Sequence, residues 1–84
     1  MTTMNVTDWL IEWFIKNSHI ERSEIENNLS ENYLSKGWID SLKFITFVSD
    51  IESNFSISFS NDEFQNKSFP LIVGLAKIIQ KKIK

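Results

Sequence analysis

The sequence predicts an all-α protein: a small bundle of three main helices plus one short helix, with a long loop after the first helix. Three observations predict it. Apolar residues recur at helical spacing in three stretches, around 6–16, 42–55 and 71–83. The lone alternating run, Ser56-Ile57-Ser58-Phe59-Ser60, has no second run to pair with. An extended loop that buries Ile57 and Phe59 therefore explains it as well as a strand. Hydrophobic content of 42%, with seven Phe and three Trp, is enough for a real core.

The first helix can be capped by Asn5 or Thr7 and should end near Lys16-Asn17, with residues 1–5 frayed. Val6, Trp9, Leu10, Trp13 and Phe14 form its buried stripe. Ile11 and Ile15 fall on the far side, either partly exposed or against the long loop. The two tryptophans read as core, since aromatics carry large burial areas. Residues 17–38 are broken up by Ser and Asn. A short helix over Ser23–Leu29 capped by Ser23 is one option there; the rest reads as loop anchored by Ile20, Ile25, Leu29, Tyr33 and Leu34. Loops of this length are uncommon and often functional. His19, the single histidine, has no second ligand residue near it and reads as a loop residue.

The second main helix has the sharpest pattern. Asp40 is its N-cap by residue type: the carboxylate can accept the N–H of Leu42 or Lys43, and its charge suits the positive helix end. Ser41 is then the first helical residue, its hydroxyl outside the capping bond. At 100° per residue, Phe44, Phe47, Val48, Ile51 and Phe55 share one stripe about 100° wide. Leu42 and Ile45 point away from it, beside Thr46 and Ser49. Asn61-Asp62-Glu63-Phe64 can open the short helix, with Phe64 and Phe69 plugging the gap between helices. Pro70 fits the first turn of the last helix. Its apolar face is Leu71, Ile72, Leu75, Ile78, Ile79 and Ile83. Gly74 inside that helix costs about 1 kcal/mol against Ala, which suits close packing.

With 84 residues the chain has room for one domain, 1–84 with a core of about 6–83. It has no cysteine, hence no disulfide and no thiolate metal site. No apolar run approaches the roughly 20 residues of a membrane span, and the N-terminus lacks a signal peptide's basic region. The expected location is cytoplasmic. Residues 1–66 hold 11 acids and 4 bases, net −7; residues 67–84 hold five lysines and no acid, net +5. The acidic body argues against nucleic acid. Lys77, Lys81, Lys82 and Lys84 suit a helix C-terminus. No Ser-His pair, metal cluster or glycine-rich phosphate loop is present, so an enzyme is not expected.

The run Asn32-Tyr33-Leu34-Ser35-Lys36-Gly37-Trp38-Ile39-Asp40-Ser41-Leu42, followed by Ile51-Glu52-Ser53-Asn54-Phe55-Ser56-Ile57, resembles the acyl carrier protein family. The resemblance runs from about Asn32 to Ile79. Its Gly-x-Ile-Asp-Ser form is most similar to discrete carriers of aminoacyl or specialised acyl pathways. The resemblance implies an acyl-carrier-like bundle in which Ser41 bears 4′-phosphopantetheine. A phosphopantetheinyl transferase attaches that group from coenzyme A with Mg²⁺, and its thiol holds a thioester. Asp40 resembles the acid the transferase reads, and Leu42, Ile45, Thr46 and Ser49 would meet partners, with Lys43 and Asp50 around them. Implied partners are an acyl or aminoacyl ligase and downstream acyl-processing enzymes, with the carrier a monomer that needs neither metal, membrane nor nucleic acid. Carriers of fatty-acid synthesis usually show a more acidic helix here, which points to other partners. Two alternatives stand beside this reading: a carrier of housekeeping fatty-acid synthesis, and a cofactor-free helical interaction module. Trp38 either shields part of the arm or packs on the loop.

Overall fold

The computed structural model describes residues 5–83, all of them in an all-α domain without a β-strand. The expectations for residues 1–4 and for Lys84 fall outside them. The helices are α1 (Val6–Ser18), α2 (Arg22–Glu26), α3 (Ser41–Phe55), α4 (Asn61–Phe64) and α5 (Ile72–Lys82). Among the described residues there are thus three main helices and two short ones; α2 falls where the sequence offers a short helix over Ser23–Leu29 as an option beside the one at Asn61–Phe64.

Local chemistry explains each boundary. Asn5 Oδ1 accepts the Asp8 N–H at 2.8 Å, so Asn5 and not Thr7 caps α1. His19 ends α1 at φ 56°, a left-handed position that His tolerates better than most residues. The N-cap of α2 is Glu21, two residues before the expected Ser23, and it makes no side-chain capping bond. Arg22 instead holds it, reaching Glu12 of α1 and, at 3.2 Å, Glu26. Ser60 and Glu63 form a reciprocal capping box at α4. The Ser60 N–H holds the Glu63 carboxyl below its usual range, and Lys82, 3.0 Å away, adds to this. Residues 57–60 are extended and unpaired, with Ile57 and Phe59 half-buried and their serine neighbours exposed.

Pro70 is not in the first turn of α5 as expected; the helix begins two residues later, with Leu71 as N-cap. The reason lies in the long loop. Pro70 carbonyl accepts the Tyr33 N–H, Leu71 bridges to Asn32, and the Val73 N–H donates to Leu29 carbonyl. Loop backbone thus takes the place of a side-chain cap at an end that would otherwise leave N–H groups orphaned.

The core sets two clusters of aromatic rings among aliphatic side chains. Phe14 of α1 meets Tyr33, Trp38 and Phe47 with ring centroids 5.3, 5.6 and 5.1 Å apart. Phe69 carries a second cluster, 5.0 Å from Phe59, 5.1 Å from Phe64 and 6.0 Å from Phe44. Val6, Leu10, Trp13 and Phe14 are buried as the helical spacing predicts, but Trp9 is half-buried and Ile11 is core. Ile11 is covered because α1 packs against both α2 and α5, and a helix with neighbours on two sides buries more than one stripe. Leu34, Phe64 and Ile83 are more exposed than expected, while Ala76 is buried. Ile25 and Tyr33 anchor the loop, and Trp38 packs into the core.

Gly74 is where α5 passes the turn before it. A Cβ there would lie 2.3 Å from Ser68 carbonyl oxygen and 2.4 Å from Ser68 Cβ. Gly74→Ala would gain about 1 kcal/mol of helix propensity. Overpacking against backbone costs typically about 1–3 kcal/mol, and the overlap here is severe. The expected result is net destabilisation of about 1–2 kcal/mol, read as a lower melting temperature by circular dichroism; a higher one would contradict this packing.

Tyr33 is fully buried, and its hydroxyl donates to Phe69 carbonyl at 2.8 Å. Burial raises its pKa above the ordinary value near 10. Above pH 10 the unfolded chain releases this proton before the folded one does, so the folded state binds more protons and stability falls as pH rises. Tyr33→Phe should cost about 1–3 kcal/mol at neutral pH by orphaning the carbonyl. The gap to the unsubstituted protein should narrow above pH 10 in denaturant titrations.

Candidate functional site

The loop delivers the chain to α3 through a series of turns. Asn32 Oδ1 accepts the N–H groups of Leu34 and Ser35, Gly37 turns at φ 75°, and the Trp38 N–H donates to Tyr33 carbonyl. Trp38 and Ile39 are then buried, and Asp40 emerges at the surface. Asp40 Oδ1 accepts the Lys43 N–H at 2.8 Å, the N-cap bond. Ser41 is the first residue of α3 and is exposed, with its hydroxyl outside that bond.

Four further residues follow on one side of α3. Leu42 is 76% exposed and Ile45 64%, the two most exposed large hydrophobics among the described residues. Thr46 and Ser49 are exposed beside them. At 100° per residue Leu42, Ile45, Thr46 and Ser49 share a face about 100° wide, opposite the buried Phe47, Val48 and Ile51. Thr46 Oγ1 donates to Leu42 carbonyl at 3.3 Å, so its hydroxyl turns back to the helix and its methyl is left outward. The structure thus brings Asp40, Ser41, Leu42, Ile45, Thr46 and Ser49 onto one exposed ridge.

The charged residues near this ridge are engaged elsewhere. Lys43 donates to the Asn17 carbonyl at the end of α1. Asp50 accepts the Trp13 indole N–H at 2.8 Å, and Glu52 accepts the Phe59 N–H at 2.9 Å. The sequence placed Asp50 among the polar residues around the docking points; its bond to Trp13 was missed. The signal was there: a buried indole N–H needs an acceptor, and Asp50 stands on the flank of the α3 stripe.

Two grooves mark the surface. One, about 260 Å³, lies on α1 and is lined by Trp9, Glu12, Trp13, Lys16 and Asn17. The other, about 330 Å³, is lined by Phe44, Ile45, Val48, Ser49, Glu52 and Phe64. His19 is exposed at the end of α1, and among the described residues no three His, Cys, Asp or Glu side chains converge to hold a metal ion. No helix among them is long and apolar enough to cross a membrane. No family model, curated protein or solved structure matches the chain.

The chemistry of this ridge suits a group joined to Ser41. A phosphodiester on Ser41 Oγ would sit at a helix N-terminus, where the first N–H groups and the dipole favour an anion. Asp40 already holds one of those N–H groups, so the cap and the modified residue would be neighbours with separate tasks. Asp40→Ala should destabilise the protein by about 1 kcal/mol through loss of the cap. Ser41→Ala, at an exposed site outside the capping bond, should change stability by less than about 0.5 kcal/mol. Chemical denaturation of both variants checks the contrast, and equal losses would mean that Ser41 has a structural role.

Proposed function

We propose that the protein is a phosphopantetheine-dependent carrier that holds acyl or aminoacyl groups for partner enzymes, in a specialised biosynthetic pathway in the cytoplasm. The observation that carries this reading is the exposure of Ser41 as first residue of α3, with the capping bond made by Asp40 instead. The resemblance of residues 32–57 to the carrier family agrees with it. Bound to Ser41, 4′-phosphopantetheine supplies a terminal thiol that carries the cargo as a thioester.

The chain's own residues have three tasks on this reading. Ser41 offers its hydroxyl oxygen to a phosphopantetheinyl transferase, which draws on coenzyme A with Mg²⁺. Asp40 fixes the start of α3 and presents a carboxylate beside that oxygen. Leu42, Ile45, Thr46 and Ser49 form the surface on which transferase, ligase and acyl-processing enzymes dock in turn. None of these tasks needs a base at Ser41, so the protein would act as a substrate of enzymes and not as one. Tethering raises the local concentration of cargo at each partner's site, which is how a monomeric carrier would contribute to rate.

A cofactor-free interaction module would keep the same core, with Ser41 only a neighbour of the cap. Intact mass after incubation with coenzyme A, Mg²⁺ and a broad-specificity transferase separates the two. We expect a gain of one phosphopantetheine that vanishes in Ser41→Ala. No gain under conditions that modify a control carrier would favour the module. The weak charge on the exposed side of α3 argues for partners other than those of housekeeping fatty-acid synthesis. Efficient elongation of the loaded protein by a fatty-acid ketosynthase would overturn that part.

A further inference from the structure

We infer that the small hollow between α5 and the turn before it binds a phosphoryl group, free or as the end of a phosphate monoester, through Asn66, Ser68, Lys77 and Lys81. The site shares no residue with the α3 ridge and does not depend on the carrier reading.

The donor set is the first ground. The hollow, about 150 Å³, is lined by Asn66, Ser68, Gly74, Lys77, Ile78 and Lys81, with no acid among them. The acceptors of the turn are already occupied. Asn66 Oδ1 takes the Ser68 N–H at 2.8 Å, Asn66 carbonyl takes the Phe69 N–H, and Ser68 carbonyl takes the Leu71 N–H. With its oxygen turned to Ser68, the Asn66 amide has its N–H groups left to give. The Ser68 hydroxyl adds another donor, and the two ammonium groups add charge. Donors in excess, with their acceptors spent, are what an oxyanion requires.

Charge is the second ground. Lys77 and Lys81 stand one helical turn apart and are both exposed, so they repel one another. Lys82 is paired with Glu63 at 3.0 Å, whereas Lys77 and Lys81 make no ion pair among the described residues. The helix dipole accounts for Lys81 and Lys82 in the last turn of α5, but Lys77 lies before that turn. Lys67, exposed between Asn66 and Ser68, adds a third positive charge nearby. A dianion in the hollow would relieve this repulsion.

Shape is the third. A Cβ at Gly74 would lie 2.3 Å from the Ser68 carbonyl oxygen, so glycine is what lets α5 approach the turn and keeps Ser68 beside the α5 lysines. At about 150 Å³ the hollow falls below the roughly 300–1,000 Å³ of pockets that enclose larger ligands. It suits one phosphoryl group, with the rest of an ester left in solvent.

The test titrates the full chain with inorganic phosphate, glycerol phosphate or acetate at fixed ionic strength and follows two-dimensional ¹H–¹⁵N spectra. We expect both phosphates to shift the Asn66 side-chain amide and the Ser68 N–H, saturating at millimolar concentration, and acetate to leave them in place. Lys77→Gln and Lys81→Gln should each weaken binding about fivefold without disturbing signals elsewhere, and Lys36→Gln, in the loop before α3, should not weaken it. Saturation by glycerol phosphate supports a phosphoryl group borne on a larger molecule; saturation by inorganic phosphate alone supports the free anion. Shifts that grow without saturating, that acetate reproduces, or that persist at full affinity in either glutamine variant would each overturn the inference, as would spectra silent to both phosphates.

Discussion

Tyr33 is the residue on which the position of α3 depends. Its N–H donates to Pro70 carbonyl and its hydroxyl to Phe69 carbonyl, while its own carbonyl accepts the Trp38 N–H. Its ring meets Phe14 and Phe47. One side chain and one peptide thus join the loop, the turn before α5, and the faces of α1 and α3. The loop needs this. Residues 27–37 have few apolar side chains to bury, so hydrogen bonds to buried partners must fix their path. In the low-dielectric interior such bonds are strong, and a missing partner is costly, which makes the path specific as well as stable. Leu29 carbonyl, accepting from Val73, adds a second tie between the loop and α5.

Fixing the loop fixes where α3 begins. With Trp38 and Ile39 buried, the chain surfaces at Asp40, and the cap bond to Lys43 N–H sets the helix start there. Burial on one side of α3 and Asp40 at its head together leave Ser41, Leu42 and Ile45 outside. Exposed aliphatics singly need no explanation. Here the two most exposed ones stand one turn apart beside an exposed serine at a helix N-terminus, and the core offers neither of them a place. That combination follows from the sequence pattern and the cap, with no strain in the backbone of residues 38–45.

Much of this was legible in the sequence because it is local. Helical spacing placed α3 and its buried face, and cap chemistry put the start of the helix at Ser41. What was not legible is set by distant contacts. Ile11 looked like a far-side residue because one helix wheel assumes one neighbour, and α1 packs against α2, α3 and α5. Pro70 looked like a helix start, but Tyr33, 37 positions earlier in the chain, takes its carbonyl into a loop contact. The capping of α5 by Leu29 carbonyl is a backbone bond with no side-chain signature at all. The Trp13–Asp50 bond also spans 37 positions, and only the need of a buried indole for an acceptor hinted at it. The space at Gly74 was anticipated as close packing; its partner, Ser68, was not nameable without the fold.

The charge of the protein and the charge of its exposed ridge are different things. The acid excess of residues 1–66 suggests steering toward basic partners. Yet both acids within α3 are turned to structural work: Asp50 accepts from Trp13, and Glu52 from Phe59. Lys43 is drawn to the end of α1. Beyond Asp40 at its head, the ridge is made of Ser41, Leu42, Ile45, Thr46 and Ser49, which carry no charge. Bonds to neutral N–H groups leave Asp50 and Glu52 their charge, so long-range attraction of a basic partner persists, while the close contact itself is made by uncharged side chains. Selection among partners would then rest on how well a partner's pocket accepts two aliphatic side chains one helical turn apart. On the proposed carrier reading this is sufficient, because the covalent arm supplies the local concentration that weak docking does not. Partners whose recognition depends on a row of carboxylates along this helix would find only Asp50 and Glu52 within it, each already bonded through one oxygen.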